Sequence, residues 1–109
     1  MKKVYLFCNA GMSTSLLASN MQKVSDNHNL PIEVKAFSDS KMEEIVKREN
    51  PDVILLGPQV KYKYQDTLDK YGDTGAAIEV INLEDYGNVD GERVLKRSIQ
   101  LIKGKGENK

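Results

Sequence analysis

The chain contains one cysteine, Cys8, and its neighbours define the chemistry it could perform. Cys8 closes the apolar run Val4-Tyr5-Leu6-Phe7. It is followed by Asn9-Ala10-Gly11-Met12-Ser13-Thr14-Ser15 and then by an amphipathic stretch beginning Leu16-Leu17. This order predicts a strand, a loop of small residues and the start of a helix. Free backbone N–H groups and the positive end of a helix dipole converge at such a junction, which suits an anion. An ordinary thiol has a pKa of about 8.5. A helix N-terminus favours an anion by up to ~2 kcal/mol in a partly buried setting, and at about 1.36 kcal/mol per pKa unit this brings the thiol to near 7. Cys8 is therefore read as a nucleophile rather than as a small buried apolar residue.

The cradle that lowers the thiol pKa would also hold a phosphate on the sulfur. Gly11 allows close backbone approach, Ala10 is small, and Ser13, Thr14 and Ser15 add hydroxyls beside the main-chain amides. The amides of Asn9 to Thr14 are the expected phosphate ligands, with one of the three hydroxyl residues serving as the helix N-cap. Cysteine-dependent phosphatases use a loop of similar length, Cys-x5-Arg, whose arginine clamps the phosphate in bidentate fashion. Here the arginine position is Thr14, and the residues preceding Pro31, Pro51 and Pro58 are Leu30, Asn50 and Gly57, so there is no Asp-Pro acid. With both parts missing, a phosphocysteine would persist until another acceptor arrived. A thiol-based low-molecular-weight phosphatase or arsenate-reductase-like enzyme stands as the alternative. A receiver domain would need acidic metal ligands after the first strand, and Lys2 to Phe7 contains none. A flavin carrier would want aromatic surface, and the chain has no Trp.

The rest of the chain must position this loop. Its 109 residues suffice for one domain, assigned to 1–103, with a polar tail at 104–109. Lys plus Arg and Asp plus Glu are equal at 16 each, which argues against nucleic acid as the main partner. No apolar run approaches the ~20 residues that span a bilayer. The start has too short an apolar stretch for a signal peptide. A single cysteine permits no internal disulfide, and a cytoplasmic protein without cofactor or metal is expected.

Strand-like and helix-like runs alternate. Strands are predicted over 3–7, 32–37, 53–56 and 76–81. The charged and apolar alternation of Ile32 to Phe37 marks an edge, and the unbroken Val53-Ile54-Leu55-Leu56 marks a strand covered on both faces. Helices are predicted over about 13–27, with Leu17, Met21 and Val24 on one face, and after the potential caps Ser38, Asp39 and Ser40, with Met42, Ile45 and Val46 inward. Two more are predicted around 62–70, with Tyr64, Leu68 and Tyr71 on one side, and over 92–103, with Leu95, Ile99 and Ile102 in register. Asp85 to Gly91 reads as a turn-rich connector. The pattern predicts a single α/β domain: a four-stranded parallel sheet of order 2-1-3-4 with helices on both faces. Ligands of such sheets bind at the carboxyl ends of the strands, which places the Cys8 loop beside Gly57-Pro58-Gln59-Val60.

The segment from Cys8 to Leu17 resembles the phosphorylation loop of the IIB proteins of the bacterial phosphoenolpyruvate-dependent sugar phosphotransferase system, lactose/cellobiose (chitobiose) class. The likeness extends to Leu55-Leu56-Gly57-Pro58-Gln59-Val60 and to Tyr86-Gly87-Asn88-Val89-Asp90-Gly91. It implies a doubly wound fold of the kind shared with low-molecular-weight phosphatases. It further implies that Cys8 takes phosphate from a phosphohistidine of a IIA partner and passes it to a sugar bound by the membrane component IIC, which would keep the protein at the membrane without insertion. A β-linked disaccharide such as cellobiose, chitobiose or lactose is the implied sugar class. Met12 and Val60 are expected to form an exposed apolar rim for the partners. His28 is read as a solvated helix-end residue, and the charges around Glu43-Glu44 and Lys96-Arg97 as solvated helix faces.

Overall fold

Strand β1 (Lys2–Cys8) is the centre of the structure because Val4, Tyr5, Leu6, Phe7 and Cys8 have no exposed surface. In the computed structural model, which describes residues 1–9 and 11–107, it is flanked on both sides. The sheet has the order β2-β1-β3-β4, with β2 at Ile32–Ser38, β3 at Val53–Leu56 and β4 at Ala77–Val80. All neighbouring strands are parallel, and the register sets Cys8 beside Ser38 and Phe7 beside Leu56. The expected architecture and strand order are those observed.

Side-chain alternation along β1 divides the core. Val4 and Leu6 face α1 (Gly11–Asn27), α4 (Leu83–Gly87) and α5 (Gly91–Glu107), packing with Leu17, Met21, Tyr86, Val94 and Leu95. Tyr5 and Phe7 face α2 (Met42–Glu49) and α3 (Tyr64–Tyr71), with Met42, Ile45, Val46 and Val60. By the period of two, Cys8 shares the face of Val4 and Leu6.

Several local expectations are corrected. Helix α1 begins at Gly11, so Ser13, Thr14 and Ser15 lie inside its first turns and none of them is the N-cap. Ser38 caps a short 3-10 turn over Asp39–Lys41 rather than α2, whose preceding residue Lys41 makes no side-chain cap bond. The segment Pro58–Lys63 is a 3-10 stretch that delays α3 to Tyr64; Thr67 is its buried residue and Leu68 is exposed. The expected connector contains the helix α4, nucleated by Asn82, whose side chain accepts from the Asp85 amide at 3.0 Å. The final helix continues through Gly104 to Glu107, where the sequence suggested a polar tail; Asn108 and Lys109 lie outside the described residues.

Below the α2 face, the Tyr5 hydroxyl donates to Glu33 Oε2 at 2.6 Å, while Lys3 Nζ pairs with Glu49 at 3.0 Å. Burial, then the carboxylates of Glu33 and Glu49, hold the Tyr5 phenol well above its ordinary range. Burial also raises Tyr71 and Tyr86. The unfolded chain releases phenolic protons near pH 10 while the folded chain keeps them, so stability falls as pH rises above about 10. Denaturant unfolding between about pH 9 and pH 11 should show this decline, and Tyr5→Phe should make it shallower. An identical pH slope in the variant would contradict the assignment.

Candidate active site

Cys8 ends β1 and α1 starts at Gly11, so only Asn9 and Ala10 separate strand from helix. The first amides of a helix have no intrahelical partner, which leaves those at the head of α1 available to an anion. Among the residues expected here, Ala10 lies outside the described residues, and the side chains of Gly11 and Met12 are likewise not described. Asn9 is exposed, with its Oδ1 3.8 Å from Cys8 Sγ. Ser13 and Ser15 are exposed on the first turns, whereas Thr14 is buried.

The sulfur is met by residues from two other loops. The Cys8 thiol is positioned to donate to Gln59 Oε1 at 3.4 Å, and Tyr86 Oη lies 3.7 Å away. Tyr86 Oη and Thr14 Oγ1 are hydrogen-bonded at 3.0 Å. The Gly57 amide donates to Phe7 O at 2.9 Å, which draws the turn after β3 against the end of β1. A Cβ at Gly57 would stand 2.7 Å from Cys8 Sγ and 3.0 Å from Cys8 Cβ, so the sulfur occupies the space a side chain would need. Burial, as the principal cause, pushes the Tyr86 phenol up, so it keeps its proton beside the sulfur.

Tyr86 is held from behind. Val89 adopts φ 51°, a left-handed conformation costly for a β-branched residue, and its carbonyl accepts from Asn20 Nδ2 at 3.0 Å. This turn ties α4 to α1. The sequence reading placed the Gly57 turn beside the cysteine but gave no site role to Gly57, Gln59 or Tyr86. For Tyr86, the available signals were Asn82 as the cap of a short helix and the likeness of the segment Tyr86 to Gly91 to the IIB pattern.

Val60 is fully buried, so it forms no exposed rim. The turn packs it under the sheet among Tyr5, Phe7 and Leu56. Exposed apolar side chains instead follow three of the strands: Leu16 after β1, Tyr62 after β3 and Leu83 after β4, at 53%, 72% and 71% exposure. His28 is exposed at the end of α1. The Glu43, Glu44 and Lys96 side chains pair along their own helices, and Arg97 reaches Glu79. A groove of about 490 Å³ between β4 and α5 contains Arg93 and Arg97, already paired with Asp85 and Glu79, and includes none of the groups around the sulfur. Among the described residues, no helix is long and apolar enough to cross a membrane.

The strand–cysteine–helix junction lies at the switch point of a 2-1-3-4 sheet, where doubly wound α/β domains bind their ligands. Residues 3–97 match the family model for the lactose/cellobiose-specific IIB subunit of the phosphotransferase system. The chain is 36% identical over 104 residues to the cellobiose-specific EIIB component of Lactococcus lactis subsp. lactis, covering 93% of this chain and 96% of that one. The oligo-beta-mannoside-specific EIIB component of Bacillus subtilis is 29% identical over 102 residues, with 94% and 97% covered. The solution structure of the cellobiose-specific IIB component from Borrelia burgdorferi superposes with a TM-score of 0.76 at 34% identity, covering 95% of this chain and 94% of that one. The lactose-specific IIB domain from Streptococcus pneumoniae shares the fold, with a TM-score of 0.81 at 17% identity over 91% and 95% of the two chains. The chain belongs to the lactose/cellobiose IIB family, and is thus a phosphotransferase component of a sugar phosphotransferase system.

Proposed function

We propose that Cys8 is the phosphoryl carrier: its thiolate accepts phosphate from a phosphohistidine of a IIA partner and passes it to a sugar held by a IIC membrane component. The observation that carries this reading is the position of Cys8, buried at the carboxyl end of the central strand and directly before the head of α1. The amides of Asn9 to Thr14 are the phosphate ligands, assisted by the hydroxyls of Ser13 and Ser15. Leu16, Tyr62 and Leu83 supply apolar contact to the partners, in place of Val60. The carried sugar is a β-linked disaccharide of the cellobiose, chitobiose or lactose class. The protein works in the cytoplasm and is held at the membrane through IIC.

The test is intact mass after incubation with phosphoenolpyruvate, the general transfer proteins and a cellobiose-class IIA protein. One added phosphoryl group, mapped to the peptide containing Cys8, is the expected result. Phosphate on another residue, or steady release of phosphate from an aryl phosphate lost on Cys8→Ser, would overturn the carrier reading.

A further inference from the structure

The carrier reading requires negative charge on the sulfur twice. In acceptance the thiol first loses its proton to solvent; sulfur then attacks phosphorus, the S–P bond forms and the N–P bond of the donor phosphohistidine breaks. In donation a sugar hydroxyl oxygen bonds to phosphorus, its proton passes to a base on the sugar-binding partner, and the S–P electron pair stays on sulfur. Cys8 is buried in the free protein, so protein donors must meet most of the charge that forms on its sulfur.

A hydroxyl pair is already aimed at this position. Tyr86 Oη lies 3.7 Å from Sγ and 3.0 Å from Thr14 Oγ1. Tyr86 is 5% exposed and Thr14 is 1% exposed, so neither hydroxyl is freely hydrated. They come from different helices, α4 and α1, and the turn after α4 is tied to α1 by the Asn20–Val89 hydrogen bond.

Resting on the carrier reading, we propose that the Tyr86 hydroxyl donates a hydrogen bond to the Cys8 sulfur whenever that sulfur is anionic, and that Thr14 orients it by donating to the Tyr86 oxygen. Tyr86 is then a catalytic residue for both half-reactions, and Thr14 a positioning residue acting through it. The chain runs Thr14 O–H to Tyr86 O–H to sulfur, each bond polarising the next. Tyr86 keeps its own proton throughout, in accord with its raised pKa. The resting thiol has acceptors in Gln59 Oε1 at 3.4 Å and Asn9 Oδ1 at 3.8 Å, and the Tyr86 bond strengthens when the thiol proton leaves.

The experiment follows the 13Cβ chemical shift of Cys8 against pH by NMR, which needs no partner protein and no access of a reagent to the buried sulfur. Tyr86→Phe keeps the ring and is expected to raise the apparent thiol pKa by about one unit, because hydrogen bonds to charged groups are the stronger ones. Phosphoryl acceptance from IIA should fall roughly tenfold in the same variant. Thr14→Val should raise the thiol pKa by less, and Thr14→Ser should restore it. Site-specific 3,5-difluorotyrosine at position 86, a stronger donor of nearly the same shape, should lower it. Should Tyr86→Phe fail to fold, the fluorinated protein supplies the same decision. An unchanged thiol pKa with either replacement at position 86 overturns the proposal. Equal titrations for Thr14→Val and Thr14→Ser overturn the role of Thr14. Failure of the wild-type protein to take phosphate would overturn the carrier reading alone, since the thiol titration stands apart from it.

Discussion

Phosphoryl acceptance is expected to vanish in Cys8→Ser and to fall about a hundredfold in Gly57→Ala, with both proteins folded. Serine fits the space of the thiol, but its hydroxyl is a weak nucleophile without an adjacent base, and its sulfur neighbours Asn9, Gln59 and Tyr86 are not bases of that kind. Gly57→Ala tests the geometry instead of the atom. Gly57 has φ −63° and ψ 151°, which any residue adopts, so the backbone tolerates alanine. The new Cβ would stand 2.7 Å from the sulfur and 3.0 Å from Cys8 Cβ. The thiol must therefore rotate away from Gln59 and Tyr86, and displacements near 1 Å at a reacting atom cost on the order of a hundredfold. The stability loss should stay within the ~1–3 kcal/mol usual for overpacking, because a rotating side chain relieves most of the clash. Intact-mass phosphorylation rates and denaturant unfolding, measured on the same samples, separate the two effects. Near-wild-type acceptance by Gly57→Ala would show that the sulfur has room the structure does not give it.

Gly91→Ala is expected to cost about 3 kcal/mol or more, the upper end of overpacking. Gly91 opens α5 where it crosses α1, and a Cβ there would meet the Asn20 carbonyl carbon at 2.6 Å and the Met21 nitrogen at 2.7 Å. These are backbone atoms, so no rotamer change relieves the contact and the two helices must separate. Separation also strains the hydrogen bond from Asn20 to Val89 O, with a typical net worth of about 1 kcal/mol. For a domain of this size each kcal/mol lowers Tm by about 4 °C, so a fall of about 12 °C or more is expected in a calorimetric melt. A shift below about 4 °C would mean that α1 and α5 accommodate the methyl group.

These two glycines show what the sequence disclosed and what it withheld. Alternation in Ile32–Phe37 and the unbroken Val53–Leu56 located an edge strand and a covered strand, because burial on one or two faces writes itself directly into polarity. The order 2-1-3-4 followed from handedness and short connections, and it brought Gly57 to Cys8 in advance. The junction of Cys8 with the head of α1 was legible because strand end, loop and helix start are adjacent in the chain. Tyr86 was not, since its approach to the sulfur spans 78 positions and depends on a five-residue helix hidden in polar residues. Val60 misled for a related reason: a valine after a strand can face either way, and the 3-10 turn from Pro58 rolls it under the sheet. Local spacing cannot report a contact whose geometry is set by tertiary packing.

Asn9, Gln59 and Tyr86 meet the sulfur with dipoles rather than formal charges. Position 14, where a phosphatase loop would carry a guanidinium, holds a threonine whose hydroxyl turns to Tyr86. A bidentate arginine would bind the bound dianion in a deep well, and each 1.36 kcal/mol of that depth would slow its departure about tenfold. On the carrier reading, a phosphoryl group held by dipoles would leave more readily than one clamped by a guanidinium. The proposed carrier would then lose little of the donor's free energy in holding its cargo.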